Sequence, residues 1–596
     1  SDDNDREPGY LVLGEVAAKY PVNDITAQLD FVPDDWVDVT DDNEKFLVYG
    51  KADNLPQAFY VTPDGFLHDS AQANGTLALW IPAPFRFCVE CRIAYGPRQN
   101  NEFTKLSPIG NEGRATATTM LAMSTVTRLR GTAGVPSSAR KLMSFTDNRQ
   151  DASLQAGHFN DFIEMGLLRG AMARAVLKAG PTGLKFENLQ SEVVRELGLR
   201  PEQYMKNPDG SESAAKTALI EVVYFRLCQD MRRGVRLTQP NLEQLGLVRV
   251  EYEGLEELCS NTSRWAGDCE PLATATPERR FLVAKALLDE LRRALAINAT
   301  ILEELALSSL KNKSHFNLLE PWALDAEEAT GKVAAVALMR PIQQRESRLK
   351  KLFFGPRGAF GMFLARATAL GVSGRLDMAT REKVIKELFQ KLSPFIGKIE
   401  GYKTGPRTKE TVYRLNAGLI VFKAGDGRAV EPDILRMPAK DKATGLPANP
   451  FFVDHYTRVA PELRDLSARE HTAQVDASDR NIREEEFRAG TLPVLFCSPT
   501  MELGIDIADL AAVHMRNVPP TPANYAQRSG RAGRSGQPAL VLTYCAHGSP
   551  HDQHYFQKPA RMVRGVVSPP RLDLLNEDLV RAHMHSVWLA CTGAKL

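Results

Sequence analysis

Apolar positions change their spacing along this chain, and the changes divide it. Up to about residue 114, short apolar runs such as Phe46-Leu-Val-Tyr49 and Leu77-Ala-Leu-Trp80 alternate with turns such as Pro63-Asp-Gly65. Runs of that length between turn residues predict a small, β-rich module. Lys141-Leu-Met-Ser-Phe-Thr-Asp147 then reads as a short buried strand. It passes directly into Asn148-Arg-Gln-Asp-Ala-Ser-Leu-Gln-Ala156 and a helical periodicity reaching about Lys178. A strand running straight into a helix is one unit of an α/β sheet.

From about 182 to 445 the pattern is mainly helical, with Phe281-Leu-Val-Ala-Lys-Ala-Leu-Leu-Asp-Glu-Leu291 as a clear amphipathic run. Lys383-Val-Ile-Lys-Glu-Leu-Phe389 leads into two β-like runs, 396–402 and 411–422, around a basic Gly/Pro loop. A helix followed by such a hairpin predicts a winged-helix-like segment at about 365–425. From 451 the α/β rhythm returns, with buried strands at Pro493-Val-Leu-Phe-Cys497, Ala512-Val-His-Met515 and Ala539-Leu-Val-Leu-Thr-Tyr544. The fold class expected is α/β. One RecA-like parallel-sheet domain is made of 115–185 and 451–560. It is split by a large, mainly helical insertion at 186–450, preceded by the β-rich module at 1–114, and followed by a C-terminal extension at 561–596. A connection as long as 186–450 is improbable unless it is itself folded.

Composition adds little to this picture but excludes some classes. With 596 residues, 43% hydrophobic and 25% charged, the chain reads as a multidomain globular protein. A formal net charge of +1 means that any nucleic-acid surface must be local. No long apolar run and no signal pattern is visible, and the eight cysteines are scattered apart from Cys88 and Cys91. These features predict a cytoplasmic protein with reduced thiols. The chain opens on Ser1, which reads as the start of an excised or processed piece.

Two segments carry chemistry. In Gln527-Arg-Ser-Gly-Arg-Ala-Gly-Arg534, arginines recur every third residue at Arg528, Arg531 and Arg534, with small residues between them. The glycines let the backbone approach another surface, and the planar guanidinium forks suit a phosphate on which charge develops. The plain alternative is a solvated basic helix. Ser498-Pro-Thr-Met-Glu-Leu-Gly-Ile-Asp506 leaves the 493–497 strand at its C-terminal end, where open α/β sheets bind ligands. There Asp506 can accept hydrogen bonds from a ribose, and Ser498 and Thr500 can donate to a phosphate. Alone, the segment is equally well an ordinary turn with an Asp cap.

Together these segments give the chain a resemblance to the second RecA-like domain of superfamily 2 DEAD/DEAH-box helicases. Ser144-Phe-Thr-Asp-Asn-Arg-Gln-Asp-Ala152 looks like the family's motif IV, Ser498–Asp506 like motif V and Gln527–Arg534 like motif VI. Glu470-His-Thr-Ala-Gln-Val, Arg480 and Glu486-Phe-Arg-Ala-Gly490 match the stretch between. The resemblance implies that Arg531 and Arg534 reach the γ-phosphate of ATP and that Gln527 senses the nucleotide. It implies that Asp506 links nucleotide to nucleic acid, with Gly504 and Arg528 in the nucleotide-binding set. Ser144, Thr146, Asn148 and Arg149, with Ser498 and Thr500, would face nucleic acid. The wing cations Lys403, Arg407 and Lys409 can add phosphate contacts, although a solvated hairpin turn explains them nearly as well. The narrower likeness is to large bacterial helicases of repair and phage defence, through Ser144–Phe159, Arg516-Asn-Val-Pro-Pro520 and Gln553-His-Tyr-Phe-Gln-Lys-Pro-Ala-Arg-Met562.

The departures matter equally. No Gly-x-x-x-x-Gly-Lys-Ser/Thr loop occurs; Thr330-Gly-Lys-Val lacks its upstream glycine and its hydroxyl. No acidic box lies on a strand, since Asp289-Glu-Leu-Arg292 falls in helical text. ATP and Mg²⁺ would therefore be held mainly by an absent first RecA-like domain, in the same longer chain or in a partner. These residues alone are expected to be inactive. The expected nucleic acid is DNA ahead of RNA, on the strength of the winged-helix-like segment. The rival reading is a non-catalytic subunit that binds nucleic acid or a partner within a multi-chain defence or repair complex. Cys88-Val-Glu-Cys91 has zinc-knuckle spacing, but no second pair follows nearby. Further ligands would have to come from missing sequence or from distant Cys259 and Cys269, and two unliganded thiols are favoured over a Zn²⁺ site. Cys545-Ala-His547 with His551 and His554 reads as a polar loop, and Phe354, Phe360 and Phe363 as core.

Overall fold

In a computed structural model of the chain, the described residues are 9–21, 24–29, 31–32, 36–39, 45–47, 50–89, 95, 113–232, 239–267, 269–324, 335–339, 350–372, 374–403, 409–431, 433–435, 446–498, 510–533, 537–566 and 576–593. They fall into two compact units, one comprising 1–108 with 161–465 and the other 109–160 with 466–596. No helix among them is long and apolar enough to cross a membrane.

The N-terminal part is β-rich, with a four-stranded antiparallel sheet of β1 (Gly9–Val12), β2 (Gln57–Val61), β3 (Leu67–His68) and β4 (Thr76–Pro82) in the order β1-β4-β2-β3. Trp36 and Phe87 meet edge to face in its core, at 4.8 Å between ring centres.

Next come α1 (Gly113–Gly131), β5 (Leu142–Phe145) and α2 (Arg149–Ala179). The strand–helix unit expected from Lys141 onward is thus present, and the boundary between the two compact units falls inside α2. Beyond it lie β6 (Leu184–Lys185), α3 (Phe186–Leu197), α4 (Glu212–Asp230), β7 (Val248–Tyr252), α5 (Pro277–Arg293), β8 (Ile297–Asn298), α6 (Glu304–Asn317), β9 (Ala335–Leu338) and β10 (Lys350–Phe353). The amphipathic run at Phe281 lies within α5, and Phe354, Phe360 and Phe363 are core residues as expected.

The helix and hairpin expected within 365–425 are present, but the hairpin is not free-standing. α7 (Met378–Lys391) precedes an antiparallel hairpin of β11 (Ile396–Lys403) and β12 (Lys409–Asn416). β12, however, also pairs with β8 and β9, so the hairpin is built into a mixed five-stranded sheet. The run expected as one strand over 411–422 is broken by a 3₁₀ turn at Ala417–Leu419, where the Asn416 side chain accepts a hydrogen bond from the Gly418 N–H at 3.2 Å. An Asn side chain offering its own backbone such a bond favours a turn over strand continuation. The remainder, β13 (Ile420–Ala424), pairs with β6 and β7 in a separate sheet.

The second unit is completed by β14 (Ala468–His471), α8 (Ala477–Ala489), β15 (Val494–Cys497), β16 (Ala512–Met515), α9 (Pro522–Ser529), β17 (Leu540–Thr543) and a C-terminal helix, α10 (Glu577–Thr592). Five parallel strands run in the order β14-β15-β5-β16-β17. All residues of β5, β15 and β16 are buried, which accounts for their reading as continuous apolar runs. On one face Met143, Phe145, Leu495, Cys497, Val513 and Met515 pack with Phe487 of α8 and Tyr525 of α9. On the other face Phe496 of β15 meets Phe159 of α2 at 6.2 Å. Lys141, 1% exposed, bonds the C-terminal carbonyls of α8 at Phe487 (2.7 Å) and Arg488 (3.1 Å), a favourable place for a cation. Segments 109–160 and 466–596 therefore form one sheet although some 300 residues separate them in sequence.

Candidate functional site

The C-terminal ends of the five parallel strands lie along one edge of the sheet, where ligands of such folds bind. β5 is followed by Thr146, Asp147 and Asn148. Asn148 caps α2 by accepting from the Asp151 N–H at 2.8 Å, and its amide donates back to the Asp151 carboxylate at 3.0 Å. A polar side chain that satisfies an orphan N–H at a helix start is what the cap position favours. Asn148 and Arg149 remain exposed.

Arg516 follows β16 and fastens the neighbouring loop. Its N–H donates to Phe145 O at 2.9 Å, its Nη1 lies 3.1 Å from Asp151 Oδ2, and its Nε donates to Gln155 Oε1 at 3.2 Å. Gln155, 1% exposed, in turn donates to Ala115 O and Thr119 Oγ1 of α1, each at 3.0 Å. Asn517 donates to the Asp147 carboxylate. Burial raises the Asp147 pKa above the usual carboxylate value, against the opposing pull of Arg528, Arg114 and Arg516.

The expected arginine motif begins within α9, which Thr521 caps by accepting from the Asn524 N–H at 3.3 Å. Its residues diverge. Gln527 is exposed, whereas Arg528 is 2% exposed with its guanidinium 5.6 Å from the centre of the Phe145 ring. Arg531 is half-buried beyond the helix end. Burial pushes the Cys497 thiol pKa up, and the Arg531 charge works against that. Gly533 closes the turn at φ +72, with its N–H on Leu510 O at 3.1 Å. A Cβ there would stand 2.8 Å from Ala539 Cβ, so both space and conformation require glycine.

Several expected residues are placed differently. Ser144 is fully buried mid-strand, its hydroxyl 2.9 Å from His514 Nδ1, so its side chain does not face a ligand. Thr146 is also buried, donating to Asn148 O at 2.8 Å and to Cys497 O at 3.2 Å, and it shapes the loop from inside. Ser498 is buried at the end of β15. Arg528, expected among nucleotide ligands, is an interior cation. Gly504, Asp506, Thr500, Arg534, Arg407 and Cys91 lie outside the described residues, as does the side chain of Lys403. Lys409 is exposed opposite Lys403 in the hairpin register. Cys88 is part-exposed, and no group of His, Cys, Asp or Glu among the described residues is arranged to hold a metal ion.

Sequence reading missed the bridge from Arg516 through Gln155 to α1, and the hydrogen-bond contact of His471 with Glu484, whose Nε2 and Oε1 are 2.8 Å apart. His471 ends β14 and Glu484 lies on α8, so this contact ties a strand end to the following helix. The available signals were a lone Arg-Asn after a strand and a His at a strand end, neither of which identifies its partner.

Residues 451–536 match the family model described as the helicase conserved C-terminal domain. "Druantia protein DruE" of Escherichia coli is 42% identical over 139 residues, covering 21% of this chain and 8% of that protein. The "ATP-dependent helicase HRQ1" of Saccharomyces cerevisiae is 44% identical over 87 residues, covering 15% of this chain and 8% of that protein. A structure of the Mycobacterium smegmatis helicase Lhr bound to ssDNA and AMP-PNP matches 20% of this chain and 15% of its own, with 27% identity and a TM-score of 0.18. The matched segments thus span 8% of the length of the curated relatives named.

Proposed function

With a helicase C-terminal domain as the premise, we propose that this chain supplies the second motor domain of an ATP-dependent nucleic-acid helicase or translocase, acting on DNA. ATP would lie between this domain and a first RecA-like domain carrying the phosphate loop and the Mg²⁺ carboxylates. When bound, ATP brings the phosphoryl group whose transfer releases energy. This chain's part is to present charge to it: Arg531 and Arg534 approach the γ-phosphate, while exposed Gln527 contacts the nucleotide, and Asp506 and Gly504 line the same cleft. Asn148 and Arg149, at the capped start of α2, contact the nucleic-acid backbone.

The observation that carries this reading is the arginine motif on an all-parallel sheet: it leaves α9 with its residues facing three ways. The buried Arg528 supports the motif from within, the half-buried Arg531 flanks it and Gln527 faces outward. A solvated basic helix has no need of a buried arginine among its three. The rival reading, a binding subunit without catalysis, draws on the sequence's lack of a phosphate loop. Steady-state ATP turnover separates the two. Turnover that is absent in the purified chain and restored by adding a first RecA-like domain supports the split site, whereas no turnover from any such combination leaves only a binding role.

A further inference from the structure

The first unit contains a second topology that the sequence reading placed elsewhere. From Asp161 onward, the rest of α2 leads into β6, α3, α4, β7 and, after residues 253–419, β13. The three strands form one antiparallel sheet in the order β6-β13-β7. Val421 pairs with Lys185 on one side, and Ile420 to Ala424 pair with Tyr252 to Val248 on the other. Helix, strand, two helices, then two strands with the last one central is the order and pairing of a winged helix. Phe186 holds its core together, stacked on Phe422 of β13 at 6.3 Å and edge-on to Tyr224 of α4 at 5.5 Å. Tyr252 stands opposite Ile420, so a short turn would join β7 to β13. Residues 253–419 occupy the place of that turn, where the wing would be.

A helix-turn-helix module that reads a duplex lays its second helix, here α4, in the major groove, and its phosphate contacts need cations. α4 lacks the charge, and from Ala218 to Asp230 none of its side chains is exposed; only its first turns, at Glu212–Ala214, Lys216 and Thr217, are open. It packs against α3 and α6. Lys313 of α6 lies 2.8 and 3.0 Å from the two Glu221 carboxylate oxygens, and Arg226 reaches Glu164 of α2 at 3.2 Å. Eight of its side chains, from Ala215 to Cys228, are buried. Of its charged residues, Glu212, Glu221 and Asp230 outnumber Lys216 and Arg226.

The strand side is held as firmly. Tyr252 donates its hydroxyl to Asp289 of α5 at 2.8 Å. Glu243, just ahead of β7, accepts from Arg292 at 2.8 and 3.1 Å, and Arg292 is fully buried. Burial pushes the Glu243 pKa up, but Arg292 and Arg293 outweigh it and hold the carboxyl well below the usual range. Removing one member of such a buried cluster leaves an uncompensated charge, so undocking α5 from this strand is costly. α5 and α6 both belong to 253–419.

We propose that residues 161–252 with 420–424 are a winged helix turned inward. Its third helix and second strand form the socket on which the inserted residues 253–419 dock through α6 and α5, and α4 does not read a duplex.

Hydrogen exchange of the full chain, with and without a DNA duplex, tests this without nucleotide and independently of the ATP reading. Amides of 212–230 are expected to be protected in the free chain and unchanged by duplex. Lys313→Glu is expected to speed exchange at both 212–230 and 304–317, and Lys216→Glu to leave duplex affinity within about twofold, as for a site making no phosphate contact. Fast exchange of 212–230 in the free chain would overturn the docking, and so would a Lys313→Glu effect confined to 304–317. New protection of 212–230 on adding duplex, or a tenfold loss of affinity in Lys216→Glu, would show that α4 reads nucleic acid. A chain that fails to bind duplex still answers through its free-state exchange.

Discussion

Arg528 holds its guanidinium 5.6 Å from the centre of the Phe145 ring, and the pair ties the arginine motif to the central strand of the sheet. The same cation works against the burial that raises the pKa of Asp147, the residue that follows Thr146 beyond that strand's end. A buried cation over an aromatic face is worth about 2 kcal/mol when desolvated. Arg528→Ala is therefore expected to lower the denaturant-derived stability of the chain by about 2 kcal/mol or more. Gln527→Ala, one position away and exposed, should stay within about 0.5 kcal/mol. Equal, small effects at both positions would mean that Arg528 is not a structural member of the motif.

His514 gives the sheet a pH dependence of definite sign. Burial lowers its pKa from 6.5 to about 4, with Arg516 pushing the same way. The folded state therefore keeps the imidazole neutral where the unfolded chain has already bound a proton. Stability is fully present above pH 6.5 and falls as pH drops towards 4, with a limiting slope of one proton. His514→Asn should remove about one proton's worth of that slope, read from denaturant midpoints across the window. An unchanged slope would place the acid sensitivity elsewhere, with His455, also lowered to about 4 by burial, as the next group to test.

The β11–β12 hairpin brings Lys403 opposite Lys409. If its loop tracks the nucleic-acid backbone, Lys403→Ala, Arg407→Ala and Lys409→Ala together should weaken duplex binding at every sequence tested. The slope of log affinity against log salt should become shallower by about two to three units. Nucleotide turnover without nucleic acid should not change. An unaltered slope would reduce the hairpin to a solvated edge of its sheet.

The parallel sheet was legible because burial on both faces leaves continuous apolar runs. The strands at 142, 494 and 512 fall within the stretches the pattern marked and are buried throughout, whereas the one at 540, also expected to be buried, is a part-exposed edge strand. Helix α2 was legible from the long periodicity that follows the strand. The inward-turned module was not legible. β6 has two residues, and β7 and β13 pair across residues 253–419, so nothing local in the sequence joins them. Within the site, the spacing of the arginines was visible but their directions were not. Arg528 and Arg531 differ by three positions, yet the end of α9 at Ser529 falls between them. The resemblance set Ser144 facing nucleic acid, but it lies on a strand buried on both faces, with its hydroxyl against His514.

The central claim is that this domain closes an ATP site with its arginines, and one comparison tests it most directly. In the complete enzyme, with the first RecA-like domain present, kcat for ATP hydrolysis is measured for the natural protein and for Arg531→Ala and Arg534→Ala. The account predicts a fall in kcat of about 10³-fold or more in each variant, the scale of a lost arginine finger, with nucleotide affinity changed far less. Near-normal turnover in both variants would contradict it.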